Sequence, residues 1–265
     1  MKFLLRPNSS YPEALEFARR LETYLLGAGQ TVTRDPEGGA DMAVIIGGDG
    51  TILQAARELQ GKGMPLWSVN YGHLGYLAEC EPGDAFPAVD QILRGDYRTE
   101  QRVLLEGRLE GHAPFFCLNE AVIHRSGYAR TLGFTIAIDG TEIARLSGDG
   151  LLLSTPTGST GYNLSAGGPV LLPTARELVI TPICAHAAVS APVVVPDGHE
   201  VTVRLHIAQA AENSQDTPRL SIDSCEAVAL QGDETLRFRV SEQRVTFVKT
   251  GSVSFYQRLQ NKLKA

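Results

Sequence analysis

The sequence predicts an α/β + all-β protein, an α/β half followed by a half made almost wholly of strands. The first hundred residues alternate compact apolar runs with stretches of helical periodicity. From about Tyr97 the rhythm changes to short runs rich in Val, Ile, Leu and Phe, separated by turn residues. The composition, 43% hydrophobic and 20% charged over 265 residues, suits a soluble globular chain with a real core.

In the first half, Lys2 to Arg6 is a compact apolar run. Pro12 to Gly29 places Ala14, Leu15, Ala18, Leu21 and Leu25 at helical spacing, with Pro at the start and Gly at the end. Met42 to Ile46 reads as a buried strand, Ile52 to Leu59 as a helix and Leu66 to Val69 as another strand. This β-α-β alternation predicts a parallel sheet covered by helices. In the second half, examples of the strand runs are Val103 to Leu109, Phe115 to His124, Phe134 to Ile138, Leu151 to Thr155, Val193 to Val195 and Val201 to Ile207. Asp139-Gly140 between two such runs is a hairpin signal. This half reads as a sandwich or a barrel. Ala208 to Pro218 is polar and reads as a surface loop, and Ser254 to Leu263 as a terminal helix with Phe255, Leu259 and Leu263 on one face.

Lys plus Arg number 24 against 30 Asp plus Glu, a net charge of −6, which argues against a nucleic-acid partner. Neither a signal-peptide h-region nor a membrane-spanning run is present, and four scattered cysteines form no C-x-x-C pair. The expectation is a cytoplasmic protein with reduced thiols and no membrane partner.

The most chemical segment is Gly47-Gly48-Asp49-Gly50-Thr51, directly after a buried strand. Three glycines let backbone approach a ligand closely, and a following helix would aim free N–H groups at phosphate. Asp49 would then sit among phosphate and hydroxyl groups, where a carboxylate accepts a proton or holds a metal. A tight strand-to-helix turn with an Asp cap is the plainer reading. No G-x-x-x-x-G-K-[ST], G-x-G-x-x-G or G-x-S-x-G occurs, so P-loop, dehydrogenase and nucleophile-elbow chemistry lack their fingerprints.

Three further stretches stand out. Asn70 to Leu77 carries two glycines, Gly72 and Gly75, and two aromatics, Tyr71 and Tyr76, at the carboxyl end of a strand. It suits a ligand-facing loop or the closing of a domain edge. Asn119-Glu120 interrupts an apolar strand run and either meets solvent at a strand end or awaits a polar ligand. Asp149 to Gly168 clusters hydroxyls and open backbone, a surface able to bond adenine edges and ribose, or a plain polar loop. No His, Cys, Asp or Glu grouping has metal-ligand spacing, and no nucleophile–base pair can be named. What remains is phosphate chemistry by positioning.

Together these blocks resemble the NAD kinases. GGDGT is Gly47 to Thr51; the Asn-x-Gly-x-Leu-Gly-aromatic-Leu block is Asn70 to Leu77; the Asn-Glu pair is Asn119-Glu120. An Asp-Gly-Leu strand leading into Thr-Pro-Thr-Gly-Ser-Thr is Asp149 to Thr160, and Thr-Pro-Ile-Cys is Thr181 to Cys184. GGDGT alone also resembles phosphofructokinases and lipid kinases; the second and third blocks distinguish the NAD kinases.

The resemblance implies an N-terminal α/β Rossmann-like domain (1–96), a C-terminal β-sandwich domain binding NAD (97–250) and a terminal helix (251–265) packing back on the first domain, with NAD in the cleft between the domains. It implies phosphoryl transfer from ATP or polyphosphate to the adenosine ribose 2′-hydroxyl of NAD, a divalent metal (Mg²⁺) carried with the donor, and a homodimer or homotetramer. Asp49 would be the catalytic proton acceptor, with Gly50 beside it, and Gly47, Gly48, Gly50 and Thr51 would hold the phosphate donor. Asn119 and Glu120 would contact adenine and ribose, Tyr162 would lie against the nucleoside, and Tyr76 would belong to the substrate-binding set. Ser159, Thr160, Gly161, Tyr162, Asn163, Leu164 and Ser165 would line the NAD pocket, and Asp149 would reach NAD, in some arrangements from a neighbouring subunit. Three departures matter: Ser147 stands where relatives often place Arg or Lys near the NAD phosphates, Gly161 replaces the usual Ala, and Cys225 stands where some relatives have Gln. The rival reading is a non-enzymatic NAD(P)(H)-binding regulator on the same fold.

Overall fold

The structure is a computed structural model. It describes residues 1–72, 75–126, 131–186, 190–206, 217–251 and 253–264, without the side chains of 226, 227, 262 and 263. His73, Ile207, the polar stretch from Ala208 as far as residue 216, and the Leu263 side chain lie outside the described residues.

In chain order the elements are β1 (Lys2–Pro7), α1 (Pro12–Gly27), β2 (Thr31–Thr33), β3 (Met42–Gly47), α2 (Asp49–Glu58), β4 (Leu66–Asn70) and α3 (Ala85–Leu93). There follow β5 (Arg98–Leu109), β6 (Phe115–Cys117), β7 (Glu120–His124), β8 (Leu132–Ile138), β9 (Thr141–Gly148), β10 (Gly150–Ser154) and α4 (Tyr162–Ser165). The chain ends with β11 (Glu177–Ile183), β12 (Val193–Pro196), β13 (Val201–His206), β14 (Arg219–Ile222), β15 (Glu226–Ala229), β16 (Thr235–Lys249) and α5 (Phe255–Leu263). Contacts divide it into two units, Met1–Arg102 with Val245–Ala265, and Val103–Arg244, so the chain passes between units within β5 and again within β16.

The first unit is α/β. Its strands run β2-β1-β3-β4, followed by the end of β16, all parallel, with Leu5 opposite Val44, Val44 opposite Trp67, and Leu66 opposite Phe247. β3 is buried along its whole length, as a parallel strand covered on both faces must be. Helix α1 starts on Pro12 and buries Ala14, Phe17, Ala18, Leu21 and Leu25, a stripe at three- and four-residue spacing. These side chains form one core with Phe3, Val44, Trp67 and Ile92. Two elements escape the sequence reading: β2, only three residues long, and α3, which adds Ala88, Val89 and Ile92 to the core. The terminal helix α5 belongs to this unit and opens on a capping box between Ser254 and Gln257. Its Arg258, with Lys249, pairs with the buried carboxylate of Glu79, which also accepts the N–H groups of Thr250 (3.0 Å) and Gly251 (2.8 Å).

The second unit is a β-sandwich. One antiparallel sheet runs β12-β11-β10-β7-β14-β15; the other runs β16-β13-β8-β9, with β5 on β16 and β6 on β5. Alternate residues of β8 (Leu132, Phe134, Ile136) and β13 (Val201, Val203, Leu205) point into a core shared with Ile123, Leu151, Leu153 and Ile180 of the other sheet. The β8–β9 hairpin turns at Asp139-Gly140, both at positive φ (48° and 79°), as a two-residue turn compatible with strand twist requires.

One strand reading needs correction. Phe115 to His124 is not a single strand: β6 pairs with β5 in one sheet, β7 with β10 and β14 in the other, and the chain changes sheets at Leu118-Asn119. No ladder serves the backbone there, and a carboxylate distant in sequence takes its place. No described helix is long and apolar enough to cross a membrane.

Candidate active site

In the first unit, β3 ends at Gly47 and α2 begins at Asp49, with Gly48 as its cap, earlier than the Ile52 from which the sequence reads as helical. The Gly48 carbonyl accepts from Thr51 N (3.0 Å) and Ile52 N (3.2 Å), closing the first turn. Asp49 is half-buried. Its carboxylate accepts the backbone N–H groups of Tyr76 (2.8 Å) and Leu77 (3.1 Å), one on each oxygen, which fixes its orientation and leaves lone pairs on both oxygens. Thus the Gly47–Thr51 loop and the Asn70–Leu77 loop form one structure. They meet backbone to backbone, since a Cβ on Gly72 would lie 2.9 Å from the Gly48 Cα. A Cβ on Gly75 would lie 2.0 Å from Asp49 Oδ1, so only glycine there admits the carboxylate.

Gly50 is exposed, while Thr51 is a brace: its hydroxyl accepts from Asn8 Nδ2 (2.9 Å), and Gly47 lacks a side chain because a Cβ would strike it at 2.4 Å. Tyr76 is half-buried, and burial raises its phenol pKa. Asn70 gives its Nδ2 to Glu81 (2.9 Å), while its buried Oδ1 has no hydrogen-bond partner among the described residues.

In the second unit, Asn119 and Glu120 stand at the sheet change. The Asp223 carboxylate accepts three consecutive backbone N–H groups, Leu118 (2.8 Å), Asn119 (2.7 Å) and Glu120 (3.1 Å), and Asp223 N returns a bond to the Glu120 carbonyl (3.0 Å). Asp223 is buried and holds φ at +46° in the β14–β15 turn. Sequence reasoning passed over it as a site residue, because its partners lie more than a hundred positions earlier. Glu120 is 3% exposed; Ser224 reaches its Oε1 at 3.5 Å, and its Oε2 is buried without a described partner, as is the Oδ1 of Asn119. Burial, then the Asp223 charge, push the Glu120 carboxyl up to about 7.

The Thr155–Ser165 segment packs beside this pair. Thr155 Oγ1 donates to the Leu118 carbonyl (2.6 Å), and a Cβ on Gly158 would collide with the Asn119 carbonyl at 2.4 Å. Ser159 and Asn163 are fully buried and spent on the loop itself. Ser159 Oγ donates to Pro156 O (2.7 Å) and accepts from Leu171 N (3.0 Å). Asn163 gives Nδ2 to the Ser159 and Pro169 carbonyls and receives Thr181 Oγ1 at 2.7 Å. Thr160 is buried and Leu164 half-buried, which leaves Gly161, Tyr162 and Ser165 exposed. The Tyr162 phenol is raised by burial and then by Cys184, Asp149 and Glu120. Asp149 pairs with Arg125 (3.0 Å). Ser147 uses its carbonyl to accept His186 N (2.7 Å), and Cys225 is exposed.

The structure therefore assembles two clusters, one within each unit: a glycine-walled carboxylate at a helix start, and a buried Asn-Glu pair beside a hydroxyl-rich loop. Among the described residues no three His, Cys, Asp or Glu side chains converge to hold a metal ion.

Comparison with known proteins gives these clusters a family. The ATP-NAD kinase N-terminal domain family model matches residues 28–97 and the ATP-NAD kinase C-terminal domain model matches 118–250. A protein named NAD kinase from Gemmatimonas aurantiaca is 37% identical over 240 residues, 89% of this chain and 80% of its own. Another so named, from Lachnoclostridium phytofermentans, is 32% identical over 98% of both chains. Among solved structures, yeast NADH kinase complexed with NADH superposes with a TM-score of 0.88 at 19% identity, over 100% of this chain and 87% of that one. An NAD kinase from Archaeoglobus fulgidus in complex with ATP gives 0.78 at 22%, over 99% and 96%. These two establish a shared fold; with the two family models and the closer sequence relatives, they lead to one conclusion, that the chain belongs to the NAD kinase family.

Proposed function

We infer that the protein phosphorylates NAD to NADP, and that Asp49 is the base of the reaction. The observation that carries the residue assignment is the Asp49 carboxylate at the start of α2, pinned by the backbone N–H groups of Tyr76 and Leu77 and admitted only because residue 75 is glycine. Phosphoryl transfer asks little covalent help of a protein; alignment and charge stabilisation lower most of the barrier. Asp49 orients the adenosine ribose 2′-hydroxyl and takes its proton as the oxygen attacks the terminal phosphorus in line. The new O–P bond forms as the bridging O–P bond of ATP or polyphosphate breaks, and the electron pair leaves with the shortened donor. Asn119 and Glu120 hold the nucleoside through the polar atoms left unpaired at Asn119 Oδ1 and Glu120 Oε2. Gly161, Tyr162 and Ser165 supply the exposed edge of that site.

The described side chains do not make a resident metal site. In this reading Mg²⁺ arrives on the donor's phosphate oxygens, and no step here is assigned to it.

The test is NADP formation from NAD, Mg²⁺ and either ATP or polyphosphate, followed with an NADP-specific dehydrogenase. Asp49→Asn keeps the side chain's size and removes the base; turnover is expected to fall about 10²–10⁴-fold while calorimetry still detects NAD binding. Near-normal turnover would remove Asp49 from the role. NAD binding by the wild type with no NADP from either donor would favour the regulator.

A further inference from the structure

The first unit contains a cavity of about 630 Å³ that has no role in the account above. Its walls come from the segment that follows β4, from α3 and the turn before it, and from the chain between Thr250 and Asn261. We propose that this cavity is a binding site for an aliphatic polyamine, and that its occupation bears on the loop that orients Asp49.

Three carboxylates line the cavity, Glu79, Glu81 and Asp84, against one guanidinium, that of Arg258. Glu79 is buried and committed to Lys249 and Arg258, so the charge left for a ligand is that of Glu81 and Asp84, both exposed. The three fields meet at Cys80, another lining residue, whose thiol is pushed up to about 12 by burial first and then by Glu79, Asp84 and Glu81. Asn70 adds what an acidic rim alone lacks. It is 7% exposed and lines the cavity, its Nδ2 donates to Glu81 (2.9 Å), and its buried Oδ1 has no hydrogen-bond partner among the described residues. Such an acceptor is costly until a donor arrives, and the Glu81 carboxylate beside it favours a cationic one. Among the described residues no three His, Cys, Asp or Glu side chains converge to hold a metal ion, so a compact cation would not be served by all the carboxylates at once. A polyamine answers that spacing: its charged nitrogens stand several bonds apart and carry N–H donors, and the methylenes between them can lie on Ala78, Pro87, Ala88 and Val253. No aromatic ring is among the described lining residues, so a quaternary ammonium, with no N–H to give, finds no cage. The cavity also touches the surroundings of Asp49. Gly75, whose missing Cβ admits the Asp49 carboxylate, lines it, as does Arg258, which donates to the carbonyls of Tyr76 (3.4 Å) and Glu79 (3.3 Å). A ligand seated there braces the segment whose Tyr76 and Leu77 N–H groups orient that carboxylate.

The bearing on Asp49 rests on the kinase reading and the binding does not, so the experiment separates them. Spermidine is titrated by calorimetry, without nucleotide, into the wild type, Asp84→Asn, the double variant Glu81→Gln/Asp84→Asn, and Glu110→Gln, which removes an exposed charge from the other unit. One spermidine is expected to bind per wild-type chain, and tetramethylammonium is expected not to bind. Affinity should fall about threefold in Asp84→Asn, as for one exposed ion pair, and about tenfold in the double variant, with Glu110→Gln unchanged. NADP formation at saturating NAD and Mg-ATP should rise about twofold or more with spermidine, half of the rise falling at the calorimetric Kd and shifting with it in each variant. Asp84 is exposed, so its single variant keeps the test intact if the double variant fails to fold. No binding to the wild type, or equal affinity in every variant, would overturn the site. Binding that leaves turnover unmoved would overturn its bearing on Asp49. Absence of NADP from the wild type would overturn the kinase reading, and the calorimetry would still decide whether the cavity takes a polyamine.

Discussion

Glu120 keeps its carboxyl buried, one oxygen without a partner and Asp223 close by, so ionising it costs free energy. Its pKa rises from 4.5 to about 7, equivalent to about 3 kcal/mol at roughly 1.4 kcal/mol per unit. Between those two pH values the folded protein holds a proton that the unfolded chain has released. Stability therefore falls as pH rises through that window and levels off above it. Glu120→Gln removes this dependence, so its melting temperature relative to wild type is expected to climb from pH 5 to pH 8; parallel curves would refute it. Asp223 does the opposite work, taking three backbone N–H groups that no strand serves. Asp223→Asn is expected to destabilise by about 2 kcal/mol, the worth of a charge-assisted bond lost in the interior, and to raise the NAD KM more than it lowers turnover. Denaturant melts and steady-state kinetics check both. The contrast with Asp49 shows what a sequence displays. Asp49 is flanked by glycines that advertise it, whereas Asp223 shares a site with residues it meets only after two sheets have formed. Ser159 and Asn163 were legible as polar but not as braces, because composition does not say which way a hydroxyl or an amide turns.

At the scale of elements, the glycines of the Gly47–Thr51 and Asn70–Leu77 loops act as space left for neighbours. Gly75→Ala would thrust a methyl into Asp49. A displacement of an ångström is enough to cost about 10²-fold in rate, so this variant is expected to lose turnover by that factor or more, with NAD binding measured by calorimetry retained. Full activity would show that the carboxylate's position is not controlled by the second loop. The long periodic helix α1 and the continuous apolar strand β3 could be read directly, since covered parallel strands and one-sided helices carry distinct patterns. The crossover at Leu118-Asn119 could not: the polar Asn119-Glu120 pair marks the place, but a strand end and a ligand site read alike there, and only the pairing of β6 and β7 with different sheets reveals the break. Helix α3 was hidden by Pro87 in its first turn, a place a helix tolerates.

At the scale of the whole molecule, the first unit is made from two distant stretches of chain. Their join is electrostatic as well as apolar: buried Glu79 holds Lys249 and Arg258, and Trp67 Nε1 donates to Thr250 Oγ1 (3.1 Å). Arg258 also donates to the carbonyls of Tyr76 (3.4 Å) and Glu79 (3.3 Å), in the segment whose Tyr76 and Leu77 N–H groups orient Asp49. Arg258→Ala is expected to cost about 3 kcal/mol, as breaking a buried ion pair does. It should also slow turnover at saturating NAD without changing how NAD binds, and a variant that melts early yet turns over normally would cut that link.

The discontinuity of the first unit also governs the order in which the protein is born. During synthesis the sandwich residues, Val103–Arg244, have all emerged before any of Val245–Ala265. The unit bearing Asp49 must wait, holding β4 without its β16 neighbour and Glu79 without either of its cations, until Val245–Ala265 has left the ribosome. The unit that carries Asp49 is thus completed after the sandwich, and a chain cut short before Val245 carries every residue of the sandwich but lacks the β16 end and the Lys249 and Arg258 partners of Glu79.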